Sequence, residues 1–323
     1  MATVLSVSWT WPFGDPPSDF DGQIVKRSMT WGMSRSRSRL RILPDALRLA
    51  RSARQSDAVV LCTIGIEAAV LAGIVKMVSP RSKVFVFDFL APRRDLPTLI
   101  RRPLLRLIDR FLIIRSGDAA MLQRRFQVPL DRTRFIPWPV LPEVLPESPD
   151  EGDYVYSAGW AHRDWPTLVR ALETVPVPAI LAPGRSLDIP TNLLDRIRVR
   201  PTMPSPEDGR ALCRGAKIVA VIMRDTELPS GPLVLLDAMA AGKPVVATSA
   251  NGTRDYITDR VTGLVVPPDD SAALSEALRE LSVDEELRRS LGRAARRYVA
   301  ETNSLEKFWF NLRNALPPNH DLE

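Results

Sequence analysis

The chain has little with which to build a disulfide framework or a metal centre. Its 323 residues include two cysteines and two histidines. Cys62 and Cys213 stand far apart in separate apolar segments, which argues for reduced, buried thiols in a cytoplasmic setting. His162 and His320 are too few for a His-rich metal centre, so no metal is expected at the site. No apolar run approaches the roughly 18–20 residues a membrane-crossing helix needs. The amino terminus lacks the positive region of a signal peptide, and Thr3–Ser8 reads instead as a first strand.

Proline and arginine are plentiful. A hydrophobic fraction of 45% and a charged fraction of 25% are ordinary for a soluble globular protein, and the length exceeds what one core usually serves, so two domains are expected. The net charge of +6 is uneven: residues 1–149 carry 23 Lys and Arg against 13 Asp and Glu, and the remainder carries 21 against 25. Much of the excess lies at Arg35–Arg41 (RSRSRLR) and between Arg93 and Arg110. The RS alternation suits a nucleic-acid or phospholipid face or a solvated loop. With no aromatic stacking module nearby, no nucleic-acid partner is expected, and an anionic membrane surface is preferred. Leu99–Phe111 sets arginines beside Leu and Ile at helical spacing, as would a helix lying on a membrane or one packed on a sheet with its arginines in water.

Strand-like and helix-like segments alternate through residues 1–149. Ala58–Cys62, Lys83–Phe87, Phe111–Ile114 and Arg134–Ile136 read as strands; Leu43–Gln55, Ile66–Val78, Pro103–Arg110 and Gly117–Phe126 read as helices. Such alternation predicts a parallel sheet wrapped in helices, with functional groups beyond the carboxyl ends of its strands. Asp88 follows one strand and is the candidate catalytic residue, as a general base or by orienting an acceptor hydroxyl; capping a turn toward Pro92 is the alternative. Thr63, Gly65 and Glu67 follow another strand, and Trp9–Pro17 follows the first. Pro137–Gly152 holds five prolines and an acidic end, the mark of a stiff linker.

The second half repeats the alternation. Val155–Ser157 leads into Gly159 and Arg163, and strands are expected at Val177–Ala182, Ile197–Pro201 and Lys217–Met223. Ser205 caps a helix to about Arg214. The densest pattern is Thr226–Gly252: a loop, a helix over about Gly231–Ala241, a Gly242–Lys243–Pro244 turn and a buried strand Val245–Thr248. Ser230 suits the N-cap and Pro232 the first turn, so the N–H groups of Ser230 and Gly231 make an anion seat. Asp237, in an otherwise apolar helix, is placed to accept hydrogen bonds from a vicinal diol such as a ribose; a solvated helix residue is the alternative. A turn and a helix follow around Ser249–Asp255, then helices at Ala272–Leu281, Glu285–Glu301 and Leu305–Leu316.

The stretch from Leu228 to Glu301 resembles the nucleotide-sugar-binding half of GT-B glycosyltransferases, specifically the family 4 group. That family's run reads approximately E-G-F-G-x-x-x-x-E-A-M-A-x-G-x-P-V-V-A, and Ala238–Met239–Ala240 through Gly263–Pro267 match its later part closely. Its first glutamate falls on Pro229 and its second on Asp237; Trp160 stands where the family carries a diphosphate-gripping arginine, leaving Arg163 as the cation. The resemblance implies an α/β fold of two Rossmann-like domains facing a cleft. These are an acceptor-side domain and linker over residues 1–149, a donor-binding domain over 150–303, and a crossover helix and tail over 304–323. It implies sugar transfer from a nucleotide-diphosphate sugar to a glycan or lipid-linked acceptor without a metal, with retention as the family tendency. The nucleotide sugar is a substrate, and no cofactor is expected. The expected donor-binding residues are Gly159, Arg163, Ser230, Gly231, Asp237 and Lys243. A non-catalytic scaffold retaining the donor domain, or a nucleotide-sugar 2-epimerase, are the alternative readings.

Overall fold

A computed structural model describes residues 3–7, 16–18, 20, 22–26, 42–62, 66–89, 98–140, 152–227 and 232–316. The chain divides into two compact units, Met1–Pro137 with Leu305–Glu323, and Trp138–Ser304. The break falls at Pro137, at the head of the proline-rich stretch rather than at its expected end, and residues 141–151 lie outside the description.

The first unit is built on six parallel strands: β1 (Thr3–Val7), β2 (Gly22–Lys26), β3 (Ala58–Cys62), β4 (Lys83–Phe87), β5 (Arg110–Ile113) and β6 (Thr133–Phe135). They lie in the order β2-β1-β3-β4-β5-β6. Val59, Leu61, Val84 and Val86 are wholly buried, as strands covered by helices on both faces must be. The helices are α1 (Ile42–Ala53), α2 (Ile66–Val78), α3 (Thr98–Arg106) and α4 (Gly117–Phe126). Two expectations change here. Gly22–Lys26 was not read as a strand. Leu99–Phe111 is not one helix: α3 ends at Arg106, while Ile108 and Phe111 are fully buried and Leu105 nearly so. The apolar residues over Leu104–Phe111 therefore serve the core, while Arg102 and Arg106 remain exposed. Arg35–Arg41 lies outside the described residues.

The second unit repeats the plan with β7 (Val155–Ala158), β8 (Ala179–Ala182), β9 (Ile197–Val199), β10 (Ile218–Val221), β11 (Val245–Thr248) and β12 (Leu264–Val266), all parallel, in the order β12-β11-β10-β7-β8-β9. Its helices are α5 (Trp165–Thr174), α6 (Pro206–Arg214), α7 (Leu233–Ala240), α8 (Ser271–Val283) and α9 (Glu285–Thr302). Side-chain caps start four of them: Asp164 for α5, Ser205 for α6, Asp270 for α8 and Asp284 for α9. Each such cap contributes roughly 1 kcal/mol. Trp165, Leu168, Leu172, Leu181, Ile218 and Leu278 form the centre of the core. The helix expected after Ser249–Asp255 is absent, the chain passing through successive turns to Tyr256 before β12.

The order of this second sheet positions the site. Chain order runs outward from β7 in one direction through β8 and β9, and in the other through β10, β11 and β12. Adjacent strands whose connections leave to opposite sides open a crevice at their carboxyl ends, and in open α/β sheets ligands bind there. In this unit that place is the end of β7 and β10.

The last helix, α10 (Leu305–Ala315), belongs to the first unit. Phe308 meets Phe87 edge-on at 5.6 Å, Trp309 lies 5.2 Å from Phe20, and the Arg110 guanidinium donates to the Ala315 carbonyl at 3.1 Å. Trp309 is thus a core residue that fixes the helix.

Candidate functional site

At the crevice between β7 and β10 the chain brings Arg163 inward. An isolated antiparallel bridge joins Arg163 to Met223, and the main chain locks both sides: the Asp164 N–H donates to the Ile222 carbonyl at 2.9 Å and the Arg224 N–H to the His162 carbonyl at 2.9 Å. Thr248, fully buried at the end of β11, holds Met223 twice, accepting from its N–H at 2.8 Å and donating to its carbonyl at 3.0 Å. Thr253 in turn donates to the Thr248 carbonyl.

The Arg163 side chain turns back under Gly159. Its Nε donates to the Ala158 carbonyl at 2.8 Å. Gly159 has φ +118°, and a Cβ there would sit 2.7 Å from Arg163 Nε, so both backbone conformation and space demand glycine. Arg163 is 8% exposed, and its Nη1 has no hydrogen-bond partner among the described residues. Burial pushes the guanidinium down to about 10, so it remains a cation at neutral pH. A buried charge without a full set of partners is costly, and an anion reaching Nη1 offsets that cost.

Asp237 is half-buried in the second turn of α7. Loss of water raises its carboxyl to about 6, partly opposed by the Arg210 guanidinium of α6. No donor among the described residues bonds its carboxylate. Tyr156 of β7 lies within electrostatic reach of both Asp237 and Arg163. Burial and the charge of Asp237 also push the Cys213 thiol up. The two cysteines form no disulfide, Cys213 being buried and Cys62 half-buried.

The other expected residues fall differently. Ser230 and Gly231 lie outside the described residues. α7 begins at Leu233 with Pro232 in the capping position, so Ser230 is not its N-cap. Lys243 is 5% exposed and follows the far end of α7, at the amino end of β11. Eight helical residues separate it by about 12 Å from the helix start. It is therefore a packed residue at the edge of the sheet opposite the start of α7. Trp160 is 73% exposed beside Gly159, and His162 has φ +53°.

In the first unit Asp88 follows β4 with φ +50°. Its Oδ1 accepts from Arg115 Nη2 at 2.7 Å; Arg115 is buried and also pairs with Asp118 at 2.6 Å. Removing one partner of such a buried pair typically costs several kcal/mol. This places the Asp88 carboxylate in an ion pair with a buried arginine, and the turn toward Pro92 lies outside the described residues. Thr63 and Gly65 lie outside the described residues, and Glu67 is buried in the first turn of α2.

Sequence reasoning missed Thr248 and Tyr156, which position the site through contacts between strands distant in sequence. The only local signal was a hydroxyl at each of two apolar strand positions.

The two parallel α/β sheets define the fold of GT-B glycosyltransferases. A solved structure of Anabaena HepE in complex with UDP superposes with a TM-score of 0.70 at 15% identity, covering 98% of this chain and 99% of that one. The sucrose-phosphate synthase of Thermosynechococcus elongatus gives 0.69 at 16% identity, covering 97% and 98%. Residues 190–298 match the family model for glycosyl transferases group 1, which assigns that segment, holding α7, β11 and β12, to the family. A D-inositol 3-phosphate glycosyltransferase of Salinispora arenicola is 36% identical over 125 residues, covering 36% of this chain and 27% of that protein. The chain thus spans about a quarter of the length of that curated relative.

Proposed function

We propose that the protein transfers a sugar from a nucleotide-diphosphate sugar to a hydroxyl acceptor. The observation that carries this reading is the buried Arg163 guanidinium, with an unpartnered N–H at the switch point of the second sheet. When the sugar–oxygen bond breaks, negative charge develops on the departing diphosphate, and a fixed cation at that point stabilises it. Arg163 is the clamp, and Gly159 makes room for it. Asp237 accepts the ribose hydroxyls. Because Arg163 supplies the charge, magnesium is not required, and the family resemblance supports retention at the anomeric carbon. A likeness to a UDP-bound structure and to a glycosyltransferase of an inositol phosphate supports this donor class. The acceptor, a glycan or lipid-linked sugar, is assigned to the basic first unit. Exposed Arg51, Arg102 and Arg106 suit an anionic membrane surface at the inner face; no helix among the described residues is long and apolar enough to cross a membrane.

The test is release of free nucleotide from a panel of UDP-, GDP-, ADP- and dTDP-sugars, with and without magnesium, in the presence of candidate sugar and inositol phosphate acceptors. Acceptor-dependent release from one donor, unchanged by chelator, is expected. Tight nucleotide binding with neither acceptor-dependent release nor slow hydrolysis would instead establish a non-catalytic nucleotide-binding protein.

A further inference from the structure

The helices on one face of the first sheet turn an uncharged apolar ridge to the outside. Leu49 of α1, Leu71 of α2 and Leu105 of α3 share one core cluster with Val59 and Val84, which are paired in register on β3 and β4, so the three helices cover the same face. α2 packs against α1 on one side and α3 on the other, with the Cβ position of Gly73 only 3.7 Å from Leu107 Cδ1 just beyond α3. A helix in this setting ordinarily shows polar residues to water. α2 does not. Val70, Ile74 and Met77 recur at i, i+4 and i+7, with Val70 exposed, Ile74 half-buried and Met77 77% exposed. The lysine of α2, Lys76, turns away, donating to Asp109 Oδ2 and to the Ser82 carbonyl at 2.9 Å each. Leu47 of α1 extends the exposed apolar surface.

The flanks of this ridge carry charge of one sign. Arg48 and Arg51 of α1 are exposed on one side, and Arg102 and Arg106 of α3 on the other. Glu67, the one acid among the described side chains of the three helices, is buried. We infer that this face docks on an anionic bilayer, with Val70, Ile74 and Met77 entering the headgroup layer and the arginines of α1 and α3 holding lipid phosphates on either side. This rests on the membrane reading proposed above and adds to it the residues that enter the lipid. The charge pattern selects the occupant. A second copy of the chain would set arginine against arginine. A nucleic acid would satisfy the arginines by its phosphates but leave the ridge in water. A bilayer offers a plane of negative headgroups with hydrocarbon beneath it, and arginine stems lie along apolar surface while their guanidinium groups stay at phosphate level.

The experiment floats the full chain with vesicles of phosphatidylcholine alone and of phosphatidylcholine mixed with phosphatidylglycerol. Binding to the mixed vesicles only, weakened by added salt, is expected. Arg51→Gln and Arg102→Gln should each weaken it roughly fivefold. Met77→Ser should weaken it roughly tenfold, and Met77→Trp should strengthen it, because tryptophan favours the bilayer interface. Val283→Ser, at an apolar residue of the second unit that is 79% exposed, should change nothing. All these side chains are exposed, so the variants should melt with the wild type. Binding that falls in the arginine variants but is unmoved by Met77→Ser and Met77→Trp is electrostatic adhesion alone; it keeps the membrane reading and overturns the ridge. Absence of binding to either vesicle overturns both, leaving sugar transfer to be judged by nucleotide release. A concentration-dependent dimer that Met77→Ser abolishes, with no vesicle binding, gives the face to a second copy and likewise overturns the inference.

Discussion

Asp237→Asn separates the ribose-holding role from a passive helix position, because the two make opposite demands on stability and binding. The wild-type carboxyl is raised from 3.8 to about 6 by burial. In the unfolded chain it ionises near its ordinary value, so folding is unopposed by this group below about pH 4. The penalty then grows as pH rises toward 6 and is full above it. At full strength the shift corresponds to about 3 kcal/mol; because the side chain is only half-buried, about 1–2 kcal/mol is the working magnitude. Asparagine keeps the shape and removes the charge. Asp237→Asn should therefore stabilise the ligand-free protein by that amount at pH 7.5, a rise of a few degrees in melting temperature, with the gain shrinking as pH falls through 6. Nucleotide affinity should move the other way. Hydrogen bonds from a diol to a charged acceptor contribute about 1.5–3 kcal/mol, so the variant should bind its nucleotide roughly 10- to 100-fold more weakly at pH 7.5. Wild-type affinity should tighten as pH rises from 5 to 7, and that of the variant should stay flat. Thermal melts and calorimetry across pH 5–8 decide the matter. A variant destabilised at pH 7.5, or one that binds nucleotide as tightly as the wild type, refutes the reasoning.

Two further substitutions test how the site is held. Gly159→Ala forces a side chain into the left-handed region against Arg163 Nε at 2.7 Å. It should cost about 1–3 kcal/mol in thermal or denaturant melts and displace the guanidinium, weakening nucleotide binding at least tenfold. Thr248→Val leaves the buried N–H and carbonyl of Met223 without their hydroxyl partner. A destabilisation of about 2–3 kcal/mol in the same melts is expected, with weaker nucleotide binding because Met223 braces Arg163; an unchanged melt contradicts that bracing.

The parts of the fold visible in the sequence were those written locally. Apolar runs such as Ala58–Cys62, Lys83–Phe87 and Val245–Thr248 marked their strands correctly, and Ser205 marked its cap. Gly22–Lys26 and Leu264–Val266 were missed as strands because each offers only two or three apolar residues without alternation. Strand order is not a local property: alternation predicts a parallel sheet but not that β7 lies beside β10, and that adjacency creates the switch point. The site divides in the same way. Arg163 and Asp237 stood out as a cation and an acid in suggestive settings. The ion pair that occupies Asp88 joins residues 27 apart in sequence, and neither its local run nor that of Arg115 hints at the other. Lys243 stands near the start of α7 in sequence, but the helix between them sets it at the amino end of β11.

Calorimetric titration of UDP, GDP, ADP and dTDP into wild type and Arg163→Met most directly tests whether the end of β7 and β10 is a nucleotide-diphosphate site. Arg163→Met keeps much of the buried volume while removing the unpartnered N–H. The account predicts that one nucleotide binds the wild type and that its affinity falls at least tenfold in a variant with an unimpaired melt. Equal affinity in the two proteins, or no binding by the wild type, would contradict it.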